Sequence, residues 1–279
     1  MSFSKKLLQN LESEAISIIR DSYSKSSNPV MMYSIGKDSS VLLHLARKAF
    51  FPSIVPFPLL HIDTKWKFKE MIKFRTYVKN KFKLNLITYT NQKGIKLNPQ
   101  KDKNYTDVMK TKALKDALDK YQFDVIYGGA RRDEEASRSK ERIVSVRDKG
   151  HIWNPKNQKP ELWNLFNYEK DEDQTLRVFP ISNWTEFDIW NYIKQENIEI
   201  VDLYFAKKRK CIKKNNAYFM IDDNRYKLQK GEKIITETIR FRTLGCYPLT
   251  AGIKSNASNL SQVINETLKE KNSERSGRL

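Results

Sequence analysis

Apolar positions along this chain follow two rhythms. Short unbroken runs, Pro29-Val30-Met31-Met32-Tyr33, Pro58-Leu59-Leu60-His61-Ile62 and Phe123-Asp124-Val125-Ile126-Tyr127, read as buried strands, as does the stretch 84–89. Between them the apolar residues recur three and four apart, which predicts helices over 41–50, 67–81 and 107–120. In the second of these, Phe68, Met71, Ile72, Phe74, Tyr77 and Val78 supply the buried face. An amphipathic stretch from Leu7 to Ile19 predicts one more helix at the start. Strand and helix alternate, and that order predicts an α/β fold: a parallel, mostly doubly wound sheet with helices on both faces.

The second half is less regular. Residues 151–164 are rich in Trp, Asn and Pro and read as packed loop, 176–180 as a short strand, and 185–195 as a helix capped by Thr185 with Asp188 three residues on. Residues 207–233 are polar and read as a surface excursion or small hairpin, 234–241 as strand-like, and 260–269 as a last helix before a basic tail. The expected division is a main domain over 1–205 and an irregular C-terminal extension over 206–279.

Composition narrows the class. A hydrophobic content of 39% in 279 residues supports a packed core, while 30% charged residues and a mean hydropathy of −0.68 predict a soluble, cytoplasmic chain without a bilayer-crossing run. Cys211 and Cys246 are the only cysteines and form no CxxC pair, which argues against a zinc ribbon, an iron–sulfur cluster or a disulfide framework. The formal charge of +19 admits either a nucleic-acid surface or a lysine-rich solvated face around a pocket for small anions. The lysines are scattered, Lys207-Lys208-Arg209-Lys210 is the one dense basic run, and no nucleic-acid motif accompanies it, so the second reading is preferred.

The predicted strand ends carry the candidate chemistry. Ser34-Ile35-Gly36-Lys37-Asp38-Ser39-Ser40 joins the first strand to the first helix of the sheet. Amides in the first turn of a helix lack intrahelical partners and favour negative charge, so this loop suits a polyphosphate, the β- and γ-phosphates of a nucleotide. It is not a Walker A loop, because Met31 and Asp38 stand where that motif needs Gly and Ser or Thr. Asp63-Thr64 and Gly128-Gly129 end two further predicted strands, and ligands gather at such carboxyl ends in open parallel sheets. Asp38 and Asp63 are candidate carboxylates for Mg²⁺, although Asp38 equally suits a role bracing the turn, so the metal ligands stay open.

Residues 129–142 are dense in charge, and two readings compete for them. At helical spacing Glu134 pairs with Arg138, and Arg138 neighbours Arg142, as on a solvated helix face. Alternatively, arginines placed at a strand end bind planar oxyanions. Adenylyl transfer needs such cations. An anionic nucleophile nearing an α-phosphate costs roughly 4 kcal/mol per charge pair at ~4 Å and an effective dielectric of about 20. Guanidinium groups offset that cost and stabilise the leaving pyrophosphate.

The Ser-x-Gly-x-Asp-Ser loop resembles that of the ATP pyrophosphatase superfamily, in which many members carry glycine where Ile35 stands. The segments 57–64, 128–135, 153–157, 160–163, 179–186, 197–201 and 240–249 follow in order and resemble the small-subunit family of bacterial heteromeric sulfate adenylyltransferases, across about residues 11–278. The resemblance implies an adenine nucleotide alpha-hydrolase-like fold. It also implies conversion of ATP and sulfate to adenosine 5′-phosphosulfate and diphosphate, the first step of sulfate assimilation. A larger GTPase subunit is the implied partner, with Mg²⁺ as counter-ion of ATP.

Carried onto this chain, Ser34, Gly36, Lys37, Asp38, Ser39 and Ser40 hold pyrophosphate, and Asp63, Thr64, Gly128 and Gly129 lie beside the nucleotide. Arg131, Arg132, Arg138 and Arg142 meet sulfate and the α-phosphate, Arg240 and Arg242 complete the pocket, and Ser273 to Arg278 fold over it. Lys65 departs from the family, which has glycine after Asp63-Thr64. A phosphosulfate reductase is the nearest rival reading; it needs a reactive cysteine, whereas Cys246 sits among Leu244, Gly245, Tyr247 and Pro248 and reads as a buried structural thiol.

Overall fold

The computed structural model describes residues 3–215, 217–269 and 274. α1 (Phe3–Ser24) buries Leu8, Ala15, Ile18 and Ile19 along one stripe and leads into β1 (Pro29–Met32). Two βα units follow: α2 (Lys37–Phe50), β2 (Leu59–Ile62), α3 (Lys69–Lys81) and β3 (Leu86–Tyr89). A π-helical turn, Asp107–Lys112, runs into α4 (Ala113–Tyr121) and then β4 (Val125–Tyr127). Beyond it come β5 (Val144–Asp148), β6 (Ile152–Trp153), β7 (Thr175–Val178) and α5 (Glu186–Gln195).

These strands form one seven-stranded sheet in the order β3-β2-β1-β4-β7-β5-β6. The first five are mutually parallel, and β5 and β6 add an antiparallel edge. The central strands read as continuous apolar runs because both faces are covered. Met31 and Leu59 pack with α1 and α2 on one face, while Val30, Leu60 and Ile126 meet Ala117 and Leu118 of α4 on the other. β1 pairs with both β2 and β4, so the strand order reverses there and opens a crevice at the carboxyl ends.

Two segments differ from their sequence expectation. Residues 129–142 are not a helix: turns and a single 3₁₀ turn, Ala136–Arg138, lead into the unpredicted β5. The segment has charges at helical spacing but no apolar stripe to bury, so nothing holds it helical. The region after 206 is also more ordered than expected. β8 (Lys207–Lys214), β9 (Ala217–Met220), β10 (Ile235–Arg240) and β11 (Ile253–Lys254) form a second, antiparallel sheet, followed by α6 (Leu260–Lys269).

Its Cys211, Ile212, Phe219 and Ile239 join the same core as Met31 and Leu42. The dense basic run lies on β8, where side chains alternate in and out. Arg209 faces inward and donates to the carbonyls of Phe205 and Ile239, at 3.1 and 2.8 Å. Among the described residues no helix is long and apolar enough to cross a membrane.

Candidate active site

The loop after β1 stands where the sequence puts it, between a strand and the first turn of α2. Gly36 caps the helix in an extended conformation, and its carbonyl accepts from the Ser39 hydroxyl and the Ser40 amide. Ile35 takes a left-handed φ of 70° with its side chain fully buried. A β-branched residue is strained in that region, by about 1–2 kcal/mol, whereas glycine is not. Burial of the Ile35 side chain holds it there. Lys65 likewise adopts φ 64°, the conformation glycine takes without cost, and Asp63 accepts its N–H at 2.8 Å.

Gly128 and Gly129 end β4 directly against the loop. A Cβ on Gly129 would sit 3.2 Å from the Asp38 carbonyl carbon and 3.3 Å from the Ser39 amide nitrogen. Absence of a side chain therefore lets β4 close onto the start of α2, where the Lys37 amide donates to the Tyr204 hydroxyl at 2.7 Å. These elements bound a cleft of about 430 Å³. Ser34, Gly36, Lys37, Asp38, Ser39, Thr64, Gly128, Gly129 and Arg138 of the expected set line it.

Other expected residues lie elsewhere. Ser40 borders a separate cavity with Tyr33, His44 and Arg47. Asp63 turns to Lys65 and to Arg75, 3.6 Å away. Arg132 and Arg142 line a different surface pocket with Glu161 and Asn183, and Arg132 donates to Asn183 and to the Glu141 carbonyl.

Arg131 departs most from expectation, because it is fully buried and saturated with acceptors. Its guanidinium donates to Asp38 at 2.8 Å and to Glu274 at 2.6 Å, with Asp133 and the Trp184 carbonyl at 3.5 Å. Lys37 is pinned the same way, with its ammonium 3.0 Å from Glu274 and 3.6 Å from Asp38. Burial works against ionising Asp38, yet Lys37 and Arg131 hold its carboxyl below the ordinary range. Two cations and two carboxylates thus form a closed, buried network behind the loop, and neither cation faces the cleft unopposed. Arg242 and Arg240 are likewise bound, to Glu186 at 2.6 Å and Glu266 at 2.8 Å. Of the segment 273–278 only Glu274 is described; the rest of that expectation lies outside the described residues.

The cleft also holds residues that the sequence did not single out: His61, Lys67, Lys110 and the turn Thr243–Gly245. His61 is buried, and its Nδ1 lies 2.8 Å from the Tyr33 carbonyl, which only a protonated nitrogen can satisfy. Burial, with Lys67 nearby, lowers its pKa to about 3, so the ring is neutral and Nε2 is an acceptor without a partner. The segment Trp66-Lys67-Phe68 offered a signal, since only Lys65 separates it from Asp63-Thr64; Lys110 offered none among 52 basic residues.

No prepared cage exists for Mg²⁺. Among the described residues no three carboxylate, histidine or cysteine side chains converge, and Asp38 and Asp63 are each engaged by cations. That excludes an all-protein cage among those residues, whereas Mg²⁺ held by nucleotide phosphates needs only one or two carboxylates.

Relatives decide between the readings that a nucleotide cleft leaves open. The sequence model of the phosphoadenosine phosphosulfate reductase domain matches residues 28–252. Sulfate adenylyltransferase subunit 2 of Shewanella sp. (strain ANA-3) is 56% identical over 276 residues, covering 98% of this chain and 91% of that one. The protein of the same name from Aliivibrio fischeri (strain MJ11) is 56% identical over 275 residues, 97% of this chain and 91% of its own. The chain belongs to the sulfate adenylyltransferase subunit 2 family. Members of that family are enzyme subunits, and the fold is shared more widely. The FMN adenylyltransferase of Candida glabrata superposes with a TM-score of 0.55 at 18% identity, over 98% of this chain and 88% of that one. A phosphoadenylyl-sulfate reductase of Candida auris gives 0.50 at 15% identity, over 73% and 92%. Cys246 is buried, with its Sγ 3.2 Å from the Thr64 hydroxyl.

Proposed function

We propose that this chain is the catalytic subunit of an ATP sulfurylase and transfers the adenylyl group of ATP to sulfate. The observation that carries the reading is the 56% identity, over nearly the whole chain, to proteins named sulfate adenylyltransferase subunit 2. The crevice supports it. ATP lies with its β- and γ-phosphates against the first turn of α2 and the Ser34 and Ser39 hydroxyls, and its α-phosphorus turns toward Gly128, Gly129 and Arg138. A sulfate oxygen attacks that phosphorus in line. One P–O bond forms to sulfate, the bond to the bridging oxygen breaks, and pyrophosphate departs with the electron pair. Sulfate is already ionised, so the step needs no protein nucleophile or base. Mg²⁺ enters as the counter-ion of ATP rather than on a protein site.

A phosphate–sulfate anhydride is a high-energy product, so the transfer runs uphill alone. The designation "subunit 2" of the relatives supports a second subunit, and GTP hydrolysis on that partner drives the reaction. The test combines the purified chain with its partner subunit, ATP, GTP and sulfate, and measures pyrophosphate. Sulfate-dependent release is expected; none under these conditions sinks the proposal.

Gly129→Val tests the phosphate site directly. Its side chain would be forced onto the Asp38–Ser39 backbone, an overpacking of roughly 1–3 kcal/mol. ATP affinity measured by calorimetry is expected to fall by roughly 10- to 100-fold with a smaller loss of thermal stability. Wild-type affinity in this variant would move the phosphate site away from the loop.

A further inference from the structure

Five lysine or arginine side chains are buried among the described residues: Lys37, Lys67, Arg131, Arg209 and Arg240. Four of them have a carboxylate within 4 Å: Lys37 and Arg131 share Glu274, Arg209 faces Glu70 at 3.9 Å, and Arg240 meets Glu266. Lys67 has no carboxylate partner among the described residues, and it borders the cleft. Long charged side chains are buried mainly where a partner meets them, so a largely buried lysine that borders an open cleft is placed to receive a counter-charge from outside.

The backbone around Lys67 is built to hold that ammonium still. Tyr105 donates its hydroxyl to the Thr64 carbonyl at 2.9 Å, and Arg225 donates to the carbonyls of Lys65 and Lys67 at 2.7 and 3.2 Å. The amide of Tyr247 donates to the Trp66 carbonyl at 2.9 Å. Four consecutive carbonyls are therefore clamped by distant groups, and Phe68 is locked against Phe241 and Tyr247. Such restraint cuts the entropy lost when a side chain meets a ligand. The expected cations that line the cleft are already engaged: Lys37 by Glu274, and Arg138 by Glu135 at 2.8 Å.

We propose that Lys67 binds a tetrahedral oxyanion of the substrates, sulfate or the α-phosphate of ATP, as its missing counter-charge. The inference rests on the adenylyl-transfer reading and adds a substrate-binding residue to it. A neighbouring neutral His61 leaves that positive charge undiminished. Cys246 is a competing partner: burial pushes its thiol up, but Lys67 and Lys110 bring it below its ordinary value.

The experiment compares Lys67→Met, Lys67→Arg and Cys246→Ser in the full chain assembled with its partner subunit. In Lys67→Met, kcat/KM is expected to fall about 100-fold, as for removal of one oxyanion donor, and Lys67→Arg should recover part of that loss. A raised KM for sulfate with unchanged ATP affinity assigns the anion to sulfate; weakened ATP binding assigns it to phosphate. Wild-type kcat, KM and ATP affinity in Lys67→Met overturn the inference, and so does an equal loss in Cys246→Ser, which would make the lysine a partner of the thiol. A wild-type complex that turns over no sulfate counts against the adenylyl-transfer reading instead. Acetylation of Lys67 in the unmutated complex, followed by mass spectrometry, supplies a readout that does not depend on a variant folding. Saturating ATP or sulfate should protect it about tenfold, the consequence of a ligand-covered amine, and unchanged labelling with both overturns the proposal.

Discussion

Arg131→Ala is expected to destabilise the protein by roughly 3–5 kcal/mol, the usual penalty for removing one member of a buried ion pair. In a chain of this size that lowers Tm by roughly 6–15 °C. The loss comes from what stays behind. Asp38 and the buried Glu274 remain side by side, with Lys37 as their one close cation among the described residues. The charge-dense sequence around Arg131 predicts a different phenotype, loss of adenylyl transfer in a stable protein. Thermal melting separates the two: a Tm within about 2 °C of wild type, together with lost activity, would return Arg131 to the substrate and contradict the network.

Wild-type protein should also lose stability in mild acid because of His61. Its folded pKa of about 3 lies below the ordinary 6.5, so the native state binds fewer protons than the unfolded chain. Stability from this residue is complete above about pH 6.5 and falls as pH drops toward 3. By pH 4.5 the penalty is roughly 3 kcal/mol, two pH units at about 1.4 kcal/mol each. His61→Asn keeps a donor for the Tyr33 carbonyl but cannot be protonated, so it should lack this part of the acid slope. Denaturant midpoints at pH 7 and pH 4.5 check it, and parallel losses in both proteins would mean that His61 is not held neutral.

Much of the site was legible in sequence where the cause is local. The loop from Ser34 to Ser40 depends on an apolar strand, small residues and a helix start, all within a dozen positions. Gly128 and Gly129 announce close backbone approach in the same way. The expectation of glycine at position 65 met a left-handed backbone at Lys65, so even that departure carried conformational information.

The arginines were not legible, because their roles are set by partners far along the chain. Arg131 meets Glu274 across 143 positions and Lys37 meets it across 237. Residues 129–142 hold their charges at helical spacing, but spacing stabilises a helix by only tenths of a kcal/mol per pair. Without a buried face, Arg138 alone of the four reaches the cleft lining. The second sheet escaped notice for a related reason. β8 reads as polar, and only pairing with β10 shows that Arg209 and Cys211 point inward.

The sequence by itself determined the alternation of strands and helices, the sheet that follows from it, and the strand-to-helix loop at its switch point. These rest on periodicity and short-range turn chemistry, which every stretch of chain carries within itself. Tertiary structure alone decided which cations are ion-paired and which border the cleft. A charged side chain looks the same in sequence whether paired or not. Burial sets the cost of its charge, and the fold decides whether a carboxylate arrives to offset it. At Lys37 and Arg131 one does, and at Lys67 the described protein brings none.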